Sequence, residues 1–448
     1  MPSHYSYATV TNTLNAIGAR LYDPTFQQWT QDELLLILKE ALRTWNVLSG
    51  FWRAEFTFNL AANTWWYDLR SVSNTLIPYT VTKYSLIEMV ENHLLEPPTP
   101  GAWSGSSQFS LNDILTAFQR RQDETLGETG CTLVRSTVGA APLTPRTLLS
   151  DSVIDIRRVA WLPVSGPAGA GYSAKPLRQS DMFATRAFNP NYTVNVGAAA
   201  PGKWMQNTEP PPSFDVDAPP PVNGDYDLLT INAGPTWTAG SDGLLTIPDD
   251  WTWVLKYGAL MDLFSRESNA ADPYRTEYCR RRYEEGKALL FSNPVILAAR
   301  INNRPKDVTA IRGADDYNPS WQALTAGAPR SLYSAANLLA VAPKPDAGPY
   351  SCTVTVCQNA PWDATYVQVA RDDYDTILDL SQHIGMLKQG GEEFFKTIAL
   401  YQRAQRQAAL YNSKLKEMGF FEMAQLETST EQERRTARYL PGEQPSVS

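Results

Sequence analysis

Apolar side chains recur every three or four positions in several stretches of the chain, which is the spacing of one buried helix face. The clearest stretch follows Thr30 and has six apolar positions: Leu34, Ile37, Leu38, Ala41, Trp45 and Leu48. Thr30 and Glu33 have the spacing of a capping box, and Gly50 is suited to end the helix. The sequence therefore predicts an amphipathic helix that fills most of residues 30–50.

Alternating apolar and polar residues predict strands in the same part of the chain. Residues 51–60 and 64–69 alternate in this way and are expected to pair with each other. A second helix is predicted over 110–128, and β-branched and aromatic residues favour strands at 131–136 and 153–163. Helix and strand are thus expected to mix within the first third of the chain.

One helical pattern occurs twice, at an offset of 123 residues. Each copy has two aspartates followed by an apolar stripe with a small residue at its fourth position, which would let a neighbouring backbone approach. The stripes are Trp251, Val254, Leu255, Gly258 and Met261 in the first copy, and Tyr374, Ile377, Leu378, Ser381 and Ile384 in the second. A breaker and a polar helix follow each stripe, so antiparallel helical hairpins are predicted over 248–292 and 371–418. Gene duplication and a chance match of two amphipathic hairpins both remain open.

The composition changes between residues 164 and 243, where a Gly-rich run and two proline triplets, 210–212 and 219–221, interrupt short strand patterns. This stretch is expected to be an exposed β-rich insertion. The predicted fold class is α+β, a helical bundle of long antiparallel hairpins with β-rich insertions. The predicted segments are 1–163 (N-terminal part of the core), 164–243 (insertion), 244–295 (first hairpin), 296–368 (β-rich), 369–424 (second hairpin) and 425–448 (C-terminal arm).

Composition and charge narrow the choice of function. The chain has 448 residues, 39 Lys and Arg against 47 Asp and Glu, and a formal net charge of −8. An acidic balance argues against a dedicated binder of nucleic acid or anionic membranes. No apolar run of about 20 residues could span a bilayer, and the first residues lack the features of a signal peptide. Folding in the cytoplasm of a host cell, with four plain buried thiols, is therefore expected.

The sequence carries no recognisable catalytic motif. It has three histidines, His4, His93 and His383, and the last two are expected on helix surfaces. It lacks the H-E-x-x-H zinc motif, the G-x-S-x-G elbow and the phosphate-binding P-loop. We therefore expect a protein that is not an enzyme and has no cofactor and no metal.

Four charged clusters have two readings each. The pairs Asp249–Asp250 and Asp372–Asp373 are expected to act as helix N-terminal charges rather than as acid/base or metal carboxylates. Four aspartates in a turn-rich stretch could hold a hard cation but lack the EF-hand spacing. They are Asp215, Asp217, Asp225 and Asp227. The run 280–282 of three arginines is expected to pair with Glu277, Glu284 and Glu285 rather than with phosphate.

Three stretches together resemble the head-to-tail adaptor (connector) proteins of tailed bacteriophages. The first runs from Trp29 through the helix to Trp45, and the second is the Ile247-Pro248-Asp249-Asp250-Trp251 start of an apolar helix. The third is the Asp272-Pro273-Tyr274 turn into a helix rich in Tyr, Arg and Glu. The resemblance covers residues 20–60 and 245–292. The chain departs from the family in its greater length, its proline-rich insertion and its second hairpin.

The resemblance implies a structural virion protein without catalytic residues. Such adaptors form a ring, expected here to be a dodecamer, beneath the portal protein in the phage neck, where it lines part of the DNA exit channel. The implied partners are the portal, distal tail or nozzle proteins, further copies of the chain and, in transit, genomic DNA. The alternatives are another tail structural protein (nozzle, tail-tube or fibre-anchoring) and, from the abundant Trp and Tyr alone, a glycan-binding module or enzyme.

The polar segment 425–448 has too little apolar surface to offset the entropy of ordering its own backbone. One reading is a disordered tail, and the other is an arm ordered by a neighbouring subunit or by the portal. For the arm, the candidate contacts are Arg434, Arg435 and Arg438, which would pair with acidic partners, and Tyr439 and Leu440 as apolar anchors.

Overall fold

A computed structural model of the chain describes residues 8–72, 81–94, 109–164, 171–192, 200–207, 210–240, 243, 245–266, 271–293 and 295–412. The helices are α1 Val10–Arg20, α2 Gln31–Ser49, α3 Leu69–Val72, α4 Lys83–His93, α5 Leu111–Thr129, α6 Met182–Phe188, α7 Thr252–Phe264, α8 Pro273–Ser292, α9 Ile311–Tyr317, α10 Tyr374–Met386, α11 Gly391–Lys396 and α12 Ile398–Ala408. Short 3-10 turns lie at Asp249–Trp251, Trp321–Ala323 and Arg371–Asp373.

Strands are as prominent as helices in the architecture. They are β1 Arg53–Asn59, β2 Trp66–Asp68, β3 Val134–Ala140, β4 Arg146–Leu148, β5 Val153–Pro163, β6 Lys175–Gln179, β7 Lys203–Asn207, β8 Ser213–Val216, β9 Gly224–Asn232, β10 Ile296–Ile301, β11 Arg304–Lys306, β12 Val308–Ala310, β13 Ser331–Ala335, β14 Leu338–Ala342 and β15 Ser351–Cys357. They form two four-stranded sheets, β1-β15-β10-β11 and β12-β13-β14-β2, and a nearly closed seven-stranded barrel, β3-β9-β5-β6-β7-β8-β4.

Apolar side chains of these elements gather in three cores. The largest lies among α1, α2, α4, α5, α7, α8, α10 and α12. A second fills the space between the two four-stranded sheets, and a third fills the barrel around Trp161, Trp204 and Phe214. The prediction of a helical bundle with β-rich insertions is therefore wrong, because two of the three cores are built by sheets. The α+β class itself fits the structure broadly.

The barrel takes its strands from both sides of residue 164. Strands β3 to β5 come before it, and β6 to β9 come from the stretch that the sequence predicts to be an insertion. Strand β9 pairs with both β3 and β5, so it lies inside the sheet, with Tyr226 and Leu228 buried. The boundary between 163 and 164 thus falls between two paired strands of one sheet.

Local signals at the helix ends act mostly as the sequence predicts. The Thr30 hydroxyl accepts from the Glu33 amide at 3.2 Å, and Gly50 ends α2 with a left-handed φ of 60°. The Glu33 carboxylate, however, pairs with Lys388 Nζ at 2.8 Å instead of closing a capping box. A complete capping box forms at α5, between Ser110 and Asp113. A distant cation thus replaces the backbone amide as the partner of Glu33.

The described parts of the two predicted hairpins form α7–α8 and α10 followed by α11–α12, and residues 413–418 of the second prediction lie outside the described residues. Their first helices both have 13 residues and both follow a 3-10 turn that contains the two aspartates. At Gly258 the close neighbours are side chains, since an added Cβ would lie 3.0 Å from Arg121 Cγ and from the Tyr283 ring. The small residue thus admits neighbouring side chains, not the backbone that the sequence led us to expect.

Candidate functional site

The two stretches that carry the adaptor resemblance lie against each other in the helical core. Both carboxylate oxygens of Glu40 on α2 lie 2.6 Å from Nζ of Lys256 on α7. Six residues further along α2, Asn46 Nδ2 donates to Asp250 Oδ2 at 2.5 Å, in the turn before α7. All four residues are buried. Segments about 200 residues apart in sequence are therefore fastened by polar contacts inside one core.

The Lys256 ammonium is completely buried and has three neighbours. Besides Glu40, it lies 3.2 Å from His93 Nε2 and 4.4 Å from the centre of the Tyr257 ring. Burial lowers the pKa of Lys256, while the Glu40 carboxylate raises it. Burial, followed by the charge of Lys256, holds the pKa of His93 well below its usual value. His93 is therefore neutral, and because an ammonium only donates, Nε2 is the acceptor.

A second polar cluster joins the two hairpins. The Tyr278 hydroxyl on α8 lies 2.5 Å from His383 Nε2 on α10, and His383 Nδ1 lies 2.9 Å from Thr397 Oγ1. Arg282 on α8 donates to the Tyr401 hydroxyl on α12, which in turn donates to Glu285 Oε1 at 2.7 Å. Burial, with the charges of Arg282 and Lys256, lowers the pKa of His383 to about 3.

These contacts change the expected places of the histidines. His93 and His383 were expected on helix surfaces, and this is wrong, since both are buried. His4 lies outside the described residues. The imidazoles act here as neutral hydrogen-bonding groups between helices, and a substrate could reach them only if the core opened.

The aspartate pairs have different surroundings from those of simple helix N-terminal charges. Asp249 Oδ1 accepts from the Val81 amide at 2.9 Å, and Asp250 accepts from the Ala360 amide at 3.0 Å as well as from Asn46. Burial raises the pKa of Asp250 to about 7, against the opposing effects of Asn46, Arg43 and the Ala360 amide. The pair therefore anchors two loops to the start of α7.

In the second hairpin, only one of the two aspartates is buried. Asp373 accepts from the Tyr411 hydroxyl at 3.2 Å and from Gln407 Nε2 at 3.3 Å, whereas Asp372 is exposed. Burial raises the pKa of Asp373, with Gln407 and Tyr411 acting against it. This pair holds the end of α12 against the start of α10.

The aspartates of the turn-rich stretch are divided among separate contacts. Asp227 on β9 accepts from Arg135 Nε at 2.6 Å, Trp66 Nε1 at 3.0 Å and Gln322 Nε2 at 2.9 Å, which ties the barrel to β2 and to the turn after α9. Asp215 pairs with Arg146 at 2.8 Å. Within the described part of the chain, no three His, Cys, Asp or Glu side chains are grouped to hold a metal ion. Asp227 and Asp215 thus join strands and loops.

The arginine run on α8 forms the predicted ion pairs. Arg280 and Arg281 lie 2.8 and 2.9 Å from Glu277, and Arg282 lies 2.7 Å from Glu285. Arg282 is buried, and its guanidinium stacks 4.6 Å from the centre of the Trp253 ring. Arg280 and Arg281 thus converge on one carboxylate, whereas Arg282 points into the core.

A cleft with a volume of about 690 Å³ lies where the three cores meet. It is bounded by the ends of α5 and α8, by β5 and β6 of the barrel, and by α9. In its wall, Arg158 pairs with Asp315 at 2.5 Å and Arg157 with Asp155 at 3.2 Å. Two of the arginines in its walls are thus paired with carboxylates of the same chain.

The predicted helix-packing residues are mostly interior. Trp251, Leu255 and Leu378 are buried, Gly258 abuts Tyr283, and Tyr374 is half-buried with its hydroxyl 3.0 Å from Thr13 Oγ1. The predicted portal and subunit contacts all lie outside the described residues. They are Arg434, Arg435, Arg438, Tyr439 and Leu440.

Glu40 and Lys256 did not emerge from the sequence patterns. Lys256 is a lone cation within an otherwise apolar helix, and a lysine in such a place is rarely buried without a partner. That was the available signal. Glu40 gave none, because it sits beside the apolar stripe of α2 as any surface glutamate would.

Comparisons with protein-family models and with curated proteins found no relative of this chain. No family model matches the sequence, and no curated protein matches it. Among the helices that the structure describes, none is long and apolar enough to cross a membrane.

Proposed function

We propose that this protein is a structural component of a tailed-phage virion, a head-to-tail adaptor that forms a ring beneath the portal and lines part of the DNA exit channel. The observation that carries the proposal is the buried Glu40–Lys256 pair. It shows that the two stretches resembling adaptors form a single helical unit, although 216 residues separate the paired side chains.

The internal contacts of this unit support the same proposal. The acidic turn at Asp249–Trp251 leads into α7, and its partner α8 supplies Tyr278, Arg282 and Glu285 to the cluster that joins the hairpins. The Tyr, Arg and Glu residues of α8 that carry the resemblance therefore make packing contacts inside the helical unit. Their role is structural, as expected for an adaptor.

Exposed aromatic side chains provide surfaces for subunit contacts. Phe183 and Phe188 on α6, Tyr317 at the end of α9 and Tyr22 after α1 are each at least 80% exposed in the single chain. Aromatic residues are enriched at protein interfaces, and exposed apolar groups often mark them. An acidic chain also suits a channel in which duplex DNA slides, because it avoids adhesive contacts with phosphates.

The test is the copy number and position of the chain in an intact particle. We expect cryo-electron microscopy to show a ring of twelve copies in direct contact with the portal. A ring further along the tail would indicate a nozzle or tail-tube protein instead. A chain absent from purified particles would refute a virion role altogether.

Deletion of the C-terminal segment 425–448 tests whether it acts as an arm that contacts the portal or a neighbouring subunit. We expect deletion of 425–448 to leave the monomer folded, as judged by circular dichroism and sedimentation, but to impair attachment to the portal. Normal particle assembly by the truncated protein would show that this segment does not grip the portal or a neighbouring subunit.

A further inference from the structure

A small recess lies between α2 and the start of α4, away from the clusters described above. Its volume is about 210 Å³. The lining residues are Leu36, Lys39 and Arg43 on α2, and Val81, Thr82, Ser85 and Met89 around the start of α4. Two half-buried cations, Lys39 and Arg43, thus stand one helical turn apart at its wall, and no carboxylate lines it.

Within the described residues, no hydrogen bond or ion pair joins Lys39 or Arg43 to a carboxylate, although the charge of Arg43 acts on Asp250 and opposes the burial that raises the pKa of that carboxyl. Lys39 Nζ instead lies 4.8 Å from the centre of the Trp362 ring. Burial lowers the pKa of Lys39 and the charge of Arg43 lowers it further, with Glu88 opposing them from a distance. Like charges four residues apart destabilise a helix.

Two other partly buried cations of this chain have carboxylate partners. Arg20 lies 2.6 Å from Asp379, and Lys388 lies 2.8 Å from Glu33. Lys39 and Arg43 differ from Arg20 and Lys388 in this respect, and both line the recess. An anion in the recess would relieve their repulsion and fill the donors of the Arg43 guanidinium.

The Thr82 hydroxyl is a third available donor. Its oxygen accepts from the Ser85 amide at 3.5 Å, which leaves its hydrogen without an acceptor among the described residues. The Ser85 hydroxyl is already used, because it donates to the Thr82 carbonyl at 2.9 Å. An ammonium, a guanidinium fork and a hydroxyl are the donors that phosphate oxygens prefer.

We propose that this recess is a binding site for a phosphate group, held between Lys39 and Arg43 with Thr82 as a further donor. The recess has room for such a group, and the ligand is inorganic phosphate or a phosphate of a nucleic-acid backbone. The site stands on these contacts alone and does not depend on the proposed virion function.

The first experiment is calorimetric titration of the full chain with inorganic phosphate, with ionic strength held constant by chloride. We expect saturable binding to one site, and Arg43→Gln or Lys39→Gln to weaken it about tenfold or more, because each removes a charge-assisted contact. Lys344→Gln is the matched control. Its ammonium also lies over an indole ring, that of Trp65 at 5.0 Å, but it is not at the recess.

Thermal unfolding is the second measurement, and it distinguishes a variant that has lost the phosphate site from one that is misfolded. The unfolding temperature of each variant in chloride alone serves as its own baseline, because Lys39 also contacts Trp362 and the charge of Arg43 acts on Asp250. Added phosphate should raise the unfolding temperature of the parent and of Lys344→Gln, but not that of the two recess variants. Equal stabilisation of all four proteins by phosphate, or of none, would overturn the proposal.

A short DNA duplex identifies the source of the phosphate. If duplex binding, measured by fluorescence anisotropy, falls in Arg43→Gln and not in Lys344→Gln, the ligand is a backbone phosphate. If inorganic phosphate binding falls in Arg43→Gln while duplex binding stays the same, the ligand is the free ion. Either result supports the site.

Discussion

The two helical hairpins have similar sequence patterns but differ in how far their first helices are exposed to solvent. In each, a 3-10 turn with two aspartates leads into a 13-residue helix, α7 or α10. At the same offset of 123 residues, each helix also carries a buried charge of opposite sign, Lys256 in α7 and Asp379 in α10. From Trp251 to Leu260, every residue at the start of the first hairpin is buried, whereas α10 has an exposed edge at Asp375.

This difference in exposure extends to the ion-pair partners that stabilise the two buried charges. Lys256 depends on Glu40, which is itself buried, so neither ion can turn to water. Asp379 depends on Arg20 and Arg403, whose side chains are 30% and 59% exposed. A broken buried pair leaves an uncompensated charge, while a broken surface-linked pair leaves cations that water can solvate.

The largest effect is expected from a charge placed in the stripe of the first hairpin. Leu255→Asp puts a carboxylate at a completely buried position and should cost on the order of 5 kcal/mol, enough to unfold many proteins. Leu378→Asp should cost clearly less, because the exposed Asp375 one turn away offers a path to water. Chemical denaturation measures both.

The control for these variants is Leu410→Asp, at a side chain that is 77% exposed, where a change within about 0.5 kcal/mol is expected. If Leu255→Asp folded as stably as the parent, the burial of α7 on all sides would be disproved.

The next largest effect concerns the buried ion pair. Lys256→Met leaves the Glu40 carboxylate buried without a cation and should destabilise the protein by about 3–5 kcal/mol. Adding Glu40→Gln should restore much of that loss, since the orphaned charge is removed. A double-mutant cycle in urea measures the coupling, and additive single effects would show that the pair is not coupled.

A pH dependence of opposite sign should distinguish the hairpins. The folded pKa of Asp250 is raised to about 7, so its contribution is full below pH 4 and is lost as pH rises towards 7. The folded pKa of His383 is lowered to about 3, so its contribution is full above pH 6.5 and is lost as pH falls towards 3. Each slope is at most about 1.4 kcal/mol per pH unit.

The difference in unfolding free energy between the parent and each variant isolates the contributions of Asp250 and His383. Relative to Asp250→Asn, the parent should lose stability between pH 4 and 7, and relative to His383→Gln it should gain stability between pH 3 and 6.5. Unfolding free energies measured across this range decide the matter. Differences of the same sign for both variants would contradict the assignment.

The smallest effect is expected at the surface-linked charge of the second hairpin. Asp379→Asn removes a carboxylate whose arginine partners can turn to water, so a loss of about 1–2 kcal/mol is expected, well below that of Lys256→Met. Thermal unfolding in parallel with Lys256→Met measures the ratio. A loss as large as that of Lys256→Met would remove the distinction between the hairpins.

Strand pairing shows where sequence reasoning stopped. The alternation in 51–60 and 64–69 predicts strands, and β1 and β2 are strands, but their expected pairing with each other is wrong. β1 pairs with β15 and β2 with β14, across about 300 and 270 residues. Alternation of apolar and polar residues indicates that one face of a strand is buried. It does not indicate which other strand is the hydrogen-bonding partner.

The sequence by itself determined the local features: the helix that starts at Thr30 and ends at Gly50, the helix that follows Ser110, and the two hairpins with their acidic turns. These depend on hydrogen bonds and apolar spacing within a few residues, which are visible in a single stretch of chain. The tertiary structure alone decided the closing of the barrel across residue 164, the burial of both histidines and the pairing of Lys256 with Glu40. Those depend on contacts between residues far apart in sequence, and a residue's own neighbours in the chain do not specify its distant partner.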